Sequence, residues 1–491
     1  MNGDFSRDTF DPTKHFLRVF MQQGRVLLDA DWNEQAAILL HYVQTLAADL
    51  IGPHGGPELN YGFAILSRSN LRANFLIGRG RYYVDGILCE NESQVLYAPS
   101  DAPELPQPDL LAGELKNGNY LVYLNVWERL ITAIEDESIR EVALGAGGPD
   151  TAARSKVVWQ VRALRLADGT PLNLKCATIH TSDLWIKQLE LWQPKQRGLL
   201  KAKAEEADDL DSTDPCIISP EAHYRGAENQ LYRVEIHRGG KVGSQAAEDQ
   251  PTFKWSRENA SVALPIRSIN GHQVTLEHLG RDARLGVEVG DWVEVLDDHY
   301  LLRSDGAPRP LLKITDIDSM EMIVTLSGAP PPVTTIQGGH TIALRNPLLR
   351  RWDHQAGDPR TGGLELGNNG AALIKEATAT KENWLNLEDG IQIQFQPGGN
   401  YRAGDYWLIP ARTATGDVEW PGAVGKPEPL PPRGVQHHYV PLARINVDQG
   451  VVTVQEDFRR RFSQLARCPT LINFGGDSPT TTTLNPADNT Q

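Results

Sequence analysis

A chain of 491 residues is longer than one hydrophobic core usually organises, and it predicts three or four domains. Its net charge is −15, and no Lys/Arg cluster outweighs that balance; the densest, Arg459-Arg460-Arg461, reads as a solvated helix face. This charge argues against nucleic acid and anionic membranes as principal partners.

In chain order, residues 1–27 mix aromatic, charged and turn-forming residues (Phe5, Phe10, Asp11-Pro12, Phe16, Phe20, Gly24) and predict an extended arm with a short helical piece. A helix follows. Asp29 and Asp31 supply capping carboxylates near its start, favourable to the helix dipole, and Gly52-Pro53 stops it. Between these limits Trp32, Ala36, Leu39, Val43, Leu46 and Leu50 recur at spacings of 4, 3, 4, 3 and 4, a heptad seam that Leu40 and Ala47 widen. Such a seam packs either on the helix's own domain or on copies of itself in an oligomer, and fewer than three full heptads leave both readings open.

After Gly55-Gly56 the period changes to two. Strands are predicted at 75–77, 81–84 and 87–89, with Asp85-Gly86 as a two-residue hairpin turn. A Pro-rich stretch at 101–108 leads to strands at 120–128 and 156–166, which flank an acidic, Gly-rich segment at 135–150. Asp183–Trp192 predicts a short helix ended before Pro194, and 201–211 swings from basic to acidic as a solvated linker.

Strands at 231–237, Thr252–Ser256 and 261–266 continue the β pattern. Residues 270–345 hold five short strands (274–277, Trp292–Leu296, 311–316, 322–326, 341–344), which suit a small barrel or SH3-like insertion. At 390–396, Ile391, Ile393 and Phe395 alternate with Gln392, Gln394 and Gln396. A strand at 406–409, a hairpin of 439–447 with 450–454, a helix at 457–465 and a flexible tail at 475–491 complete the chain. The expected class is mainly β and multi-domain, with an N-terminal heptad-patterned helix and a small β-barrel-like inserted module. The divisions are 1–56 (arm and helix), 57–200 (β domain), 201–269 (linker and strands), 270–345 (barrel), 346–474 (C-terminal β region with a short helix) and 475–491 (tail).

Candidate chemistry is sparse. Asp29-x-Asp31-x-Asn33 opens like a calcium loop, but Glu34 replaces the loop's glycine and Leu40 its closing acid. His437-His438 would point to opposite sides of a strand, which suits a structural or polar role better than one shared metal. Asp208, Asp209 and Asp211 read as solvated. No G-x-S-x-G elbow occurs; Gly78-x-Gly80 lacks a third glycine, and Gly145-x-Gly147-Gly148 runs into Pro149, so neither cradles phosphate. Glu135, Asp136 and Glu137 are the first carboxylates a glycoside-cleaving pair would draw on, and they read as loop acids. Cys89, Cys176, Cys216 and Cys468 lie far apart without zinc-ligand spacing, as reduced core residues do. Of eleven tryptophans, Trp127, Trp159, Trp255, Trp292, Trp352, Trp384, Trp407 and Trp420 are spread over every β region, as core and interface anchors are; a sugar-binding platform would concentrate them. No catalytic residue, metal or cofactor is assigned, and the chain is expected not to be an enzyme.

Six stretches resemble an uncharacterised bacterial family encoded near phage-tail-like contractile injection systems. They are FSRDTFDPTKHFLRVFMQQGRVLLDADWNEQ (5–35), DTAARSKVVWQV (150–161), YRGAENQLYRVEIHRGG (224–240), TFKWSRENASV (252–262), LGRDARLGVEVGDWVEVLDD (279–298) and YRAGDYWLIPART (401–413). The opening FDP-x-K-x-F-x-R-V-x(4)-G-R-V-L, before a helix carrying Asn33-Glu34-Gln35, is similar to the start of some phage tail and baseplate fibre proteins, where a hairpin like that at 80–86 also follows. The resemblance implies a structural component at or near a baseplate, spike or fibre root. Its partners would be other particle subunits and trimeric or sixfold-related copies of itself, with the helix seam as assembly interface. The chain would be made in the cytoplasm, since MNGDFSRDTF has no leader pattern and no run of about 18 apolar residues spans a membrane; it would leave in an assembled particle. A carbohydrate- or surface-binding module and a delivered hydrolase or toxin are the alternatives.

Overall fold

The computed structural model describes residues 1–110, 112–145, 149–167, 169, 174–204, 224–243, 249–282, 284–303, 308–330, 344–423 and 425–463. Outside these lie Gly147, Gly148, Asp208, Asp209, Asp211, Cys216, Cys468, the tail at 475–491 and all but the last residue of the strand expected at 341–344. The described chain is mainly β and multi-domain. No helix in it is long and apolar enough to cross a membrane.

The first β unit is organised by two long strands, Gly118–Ile131 and Arg154–Arg165, paired antiparallel from Tyr120↔Arg165 to Ile131↔Arg154. The first of these is buried on both faces, which explains its near-continuous apolar sequence. Tyr120, Val122, Leu124 and Val126 face a core with Phe63, Phe75, Tyr82 and Cys89. Leu121 and Tyr123 face the other way, onto helix α2 (Asp183–Trp192) and its Trp185. Ser182 caps α2, its hydroxyl accepting from the Trp185 N–H at 3.3 Å. The free edge of Gly118–Ile131 is taken by His438–Asp448, which turns back into Val451–Asp457.

The second unit has Gln230–Arg238 at its centre, between Thr252–Ser256 and Tyr406–Arg412. A smaller sheet of Leu385–Asn386, Ile391–Phe395 and Leu200–Ala204 packs against it. Ile391, Ile393 and Phe395 are fully buried with Phe253 and Trp407.

Within this unit, between Thr252–Ser256 and Ala372–Leu373, six strands close a barrel: Ala263–Asn270, Gln273–Leu276, Ile323–Leu326, Leu312–Asp318, Trp292–Leu296 and Leu348–Trp352, in that spatial order. Its first and last strands pair at Ala263↔Arg350, so it begins before residue 270 and ends after residue 345. A buried ion pair ties it to the second unit, Lys254 Nζ lying 2.6 Å from Glu294 Oε2 and 4.1 Å above the Trp352 ring. Arg129 Nη2 reaches Asp298 Oδ1 at 2.6 Å from the first unit.

The units are therefore nested. The barrel interrupts the second unit, and the second unit interrupts the first. Residues 346–474, read from sequence as one region, divide between two sheets, because Tyr406–Arg412 joins the second unit and His438–Asp448 the first.

The helix expected at 457–465 is not formed. Val451–Asp457 is strand, Phe458 is buried beneath α2, and Arg461–Phe462 pairs in parallel with Gly56 and Pro57. Tertiary pairing overrides a helical propensity of under about 1 kcal/mol per residue. The three arginines are consequently no helix face: Arg459 donates to Asp457 at 2.7 Å and to the Gly62 carbonyl at 2.8 Å, with its guanidinium 4.1 Å from the Tyr61 ring centre.

Candidate assembly interface

The N-terminal arm starts firmly bound. The Met1 nitrogen lies 2.5 Å from the Tyr406 hydroxyl, and Asn259 Nδ2 donates to the Gly3 carbonyl at 2.9 Å. Arg7 pairs with Glu419 at 3.3 Å, and Asp8 with Arg433. The arm then joins helix α1 (Asp29–Ile51). Ser6 donates through N and Oγ to Asp29 at 2.9 and 2.6 Å, Thr9 Oγ1 donates to Glu34 at 2.5 Å, and Phe10 packs on His41 with ring centres 5.7 Å apart. Residues 1–10 thus staple α1 to the second β unit.

Beyond this staple the chain stays beside α1, His15 and Phe16 lining a cleft with Ile38, His41, Tyr42 and Thr45. A single 3-10 turn, Pro12–Lys14, is capped by Asp11, whose carboxylate accepts from the Thr13 N–H at 2.9 Å. Residues 15–28 then form an irregular, mostly exposed loop that leads into the start of α1. The Arg25 N–H to the Gln22 carbonyl at 3.3 Å makes its turn, with Gly24 at φ +69°. Val19 N–H donates to Gln35 Oε1 at 2.8 Å. Apart from half-buried Val19 the whole loop is exposed, including Phe16, Leu17, Phe20, Met21, Val26 and Leu27; Val26 is 82% exposed.

Helix α1 presents one face inward and one outward. Ala30 and Ile38 are its buried residues. Its middle rests on the tip of the hairpin between Gly80–Val84 and Ile87–Asn91, where Asp85 (φ 47°) and Gly86 (φ 81°) form the two-residue turn. A Cβ on Gly86 would lie 2.0 Å from the Gln44 carbonyl oxygen, so only glycine allows this approach. Gly52 ends the helix, its N–H donating to Ala48 O at 2.8 Å. At the start, Leu28 occupies the cap position without a side-chain cap; Asp29 and Asp31 stand in the first turn, where their charge favours the helix dipole, and the Asp29 carboxylate also accepts from Ser6 of the arm. The outer face carries the heptad seam. Trp32, Ala36, Leu39, Val43, Leu46 and Leu50 are all exposed on the chain, Trp32 by 72%. Among the described residues, half of the exposed large apolar side chains fall within the first 51 positions.

The other candidates have internal partners. Glu135 accepts from Thr132 N and Oγ1 at 2.8 and 2.6 Å, and Asp136 from Ser138 N at 3.0 Å, as turn-forming carboxylates do. Glu137 begins the 3-10 turn Glu137–Ile139 that Asp136 caps. His437 bonds Asn125 at 2.9 Å and His438 bonds Asp85 at 2.8 Å, on separate partners. No group of three His, Cys, Asp or Glu among the described residues could hold a metal ion. Of the eleven tryptophans, Trp32 alone is exposed. What sequence reasoning missed is the loop. Leu17, Met21, Val26, Leu27 and Leu28 were legible only as an apolar run that fits neither a helical nor a strand period.

Against known families, a model described as a family of unknown function (DUF6519) matches residues 1–177 and 193–468. No curated protein matches the chain. No solved structure matches it.

Proposed function

The chain belongs to the DUF6519 family, of unknown function, and on that premise we propose that it is a non-catalytic structural subunit of a phage-tail-like contractile injection particle, at or near the baseplate, spike or fibre root. The observation that carries this reading is the N-terminal segment. Its root is fixed by hydrogen bonds and ion pairs, yet its loop and helix seam are left uncovered. Soluble monomers rarely expose contiguous apolar patches beyond a few hundred Å2, and larger ones mark interaction surfaces. The resemblance of residues 5–35 to tail and baseplate fibre proteins supplies the kind of assembly. The three nested β units would be the bulk that this segment docks, the barrel being an inserted module. A sugar-binding platform is less well supported, because ten of the eleven tryptophans are at least half-buried.

The test is mass spectrometry of purified particles, before and after the baseplate is stripped. The wild-type chain is expected in intact particles. The variant Phe16→Ser/Leu17→Ser/Phe20→Ser, altered only at exposed positions, is expected to keep its circular dichroism and be lost from particles. Full incorporation of this variant, or absence of the wild type, would sink the proposal; glycan-array binding by a chain absent from particles would replace it.

A further inference from the structure

A strap closes the edge of the first unit. After Val451–Asp457 the Gly56 N–H donates to the Arg460 carbonyl at 2.9 Å, the Arg460 N–H donates to the Tyr82 hydroxyl at 3.0 Å, and Arg461–Phe462 pairs with Gly56 and Pro57. The same hydroxyl lies 2.7 Å from His54 Nδ1, and His54 Nε2 lies 2.7 Å from His180 Nε2, on the 3-10 turn Ile179–Thr181. Tyr82 and His54 are buried and His180 is half-buried. Among the described residues the Tyr82 hydroxyl has no third partner, and this fixes each proton. The hydroxyl oxygen accepts from Arg460, so its hydrogen goes to His54 Nδ1. His54 therefore carries its proton on Nε2 and donates it to His180 Nε2, which leaves the His180 proton on Nδ1.

We propose that this pair of rings is an acid-sensitive latch: neutral, it seats the strap Arg459–Phe462, and protonated, it lets the strap lift from Gly56 and Pro57 while the barrel and the second unit stay folded. A proton added at His180 Nε2 would set two N–H groups against each other across the 2.7 Å contact. Reversing the chain of bonds gives no relief. His54 Nδ1–H would then point at an oxygen already bonded to Arg460, and the phenol hydrogen would lose its acceptor in a buried site. No carboxylate among the described residues bonds either ring to offset the charge. Arg460 faces both rings and opposes it. Arg459, Asp457 and Tyr61 face Tyr82, and Asp457 is bound by Arg459. From α2 the nearest ring is the uncharged Trp185, and Asp183 is exposed beside Lys187. Burial first, then the neighbouring charges, lowers His54 to about 3 and His180 to about 4 while the strap is seated. A lifted strap returns them to the ordinary value of about 6.5. Below that value the lifted state binds more protons than the seated one. Its share therefore grows as pH falls, by up to about tenfold per ring per unit.

Hydrogen exchange on the full chain at pH 7 and pH 5, corrected for the intrinsic effect of pH on amide exchange, tests this. Protection at 54–57 and 459–462 is expected to fall by at least about tenfold at pH 5, while the barrel strands keep theirs. His180→Gln offers His54 Nε2 an acceptor that does not titrate, so the fall at the strap should shrink by about the factor that one ring supplies, roughly thirtyfold at most over this range. His180→Asn serves in its place if the longer amide is not accommodated. Strap protection that is unchanged at pH 5 overturns the proposal. So does equal loss of protection in strap and barrel, because that pattern is unfolding of the whole chain. A fall in the amide variant as large as in the wild type overturns it too, since the protons would then bind elsewhere.

Discussion

Ile38 and Val43 lie five residues apart on one helix and answer to different forces. Ile38 is 1% exposed and packs toward the chain, whereas Val43 is 63% exposed and touches solvent. Ile38→Ala removes buried methylenes and leaves a cavity, so about 2–5 kcal/mol of stability should be lost, read as a fall of several degrees in the thermal midpoint. Val43→Asp should leave the midpoint of the dilute subunit within about a degree, because surface changes cost under roughly 0.5 kcal/mol, and should act on association instead. Equal destabilisation by both would mean that the seam faces inward. The sequence showed that α1 has an apolar stripe and where it lies. It did not show that the chain's own contacts fall on Ala30 and Ile38, off that stripe, since periodicity reports which residues share a face and not what that face meets.

Local elements were the most legible. Asp183–Trp192, the Asp85-Gly86 turn and the start and stop of α1 are encoded by adjacent residues, with Ser182, Gly86 and Gly52 doing chemistry readable within a few positions. Strand partners were not legible. Arg461–Phe462 is a strand only because Gly56 and Pro57 lie beside it, some four hundred positions away in sequence. The same distance effect bears on α1. Gly86 belongs to a hairpin, yet its lack of a Cβ lets the helix rest there. Gly86→Ala brings a methyl group against the Gln44 carbonyl and strains a positive φ, a cost above about 1 kcal/mol. Hydrogen exchange should speed up at the α1 amides around Gln44 and at the hairpin, leaving the barrel unchanged; exchange that is unaltered at α1 would mean the hairpin is no support for the helix. It also follows that a truncation meant to remove only arm and helix must stop before His54, since His54–Pro57 is a strand of the first sheet.

At the scale of the molecule, acid should act on more than one unit at once. His54, in the first unit, has Nδ1 2.7 Å from the Tyr82 hydroxyl and Nε2 2.7 Å from His180; burial, then His180 and Arg460, lowers its pKa to about 3. In the second unit, burial and then Lys254 lower His237 to about 4, its Nε2 being 2.7 Å from the Arg309 carbonyl. His354, after the barrel, is lowered to about 4, chiefly by burial. Each ring binds its proton near pH 6.5 when unfolded and only well below that when native. Between those values the unfolded chain holds more protons, so stability falls as pH falls, by up to about 1.4 kcal/mol per ring per unit. The urea midpoint should drop from pH 7 to pH 5 and stay level, as far as these rings decide it, from pH 7 to 8; a midpoint unchanged at pH 5 would mean the rings are not held neutral. The nesting of the units bears on how the chain is made. A ribosome releases Gly118–Ile131 with one edge unpaired, and the strand that fills it, His438–Asp448, emerges about 300 residues later. At roughly 5–20 residues per second that interval is about 15–60 s. During it the barrel, whose six strands all lie between Ala263 and Trp352, can close first, then the second unit around it. The first unit to be translated is the last to be finished, and its open edge is the part of the nascent chain most in need of protection.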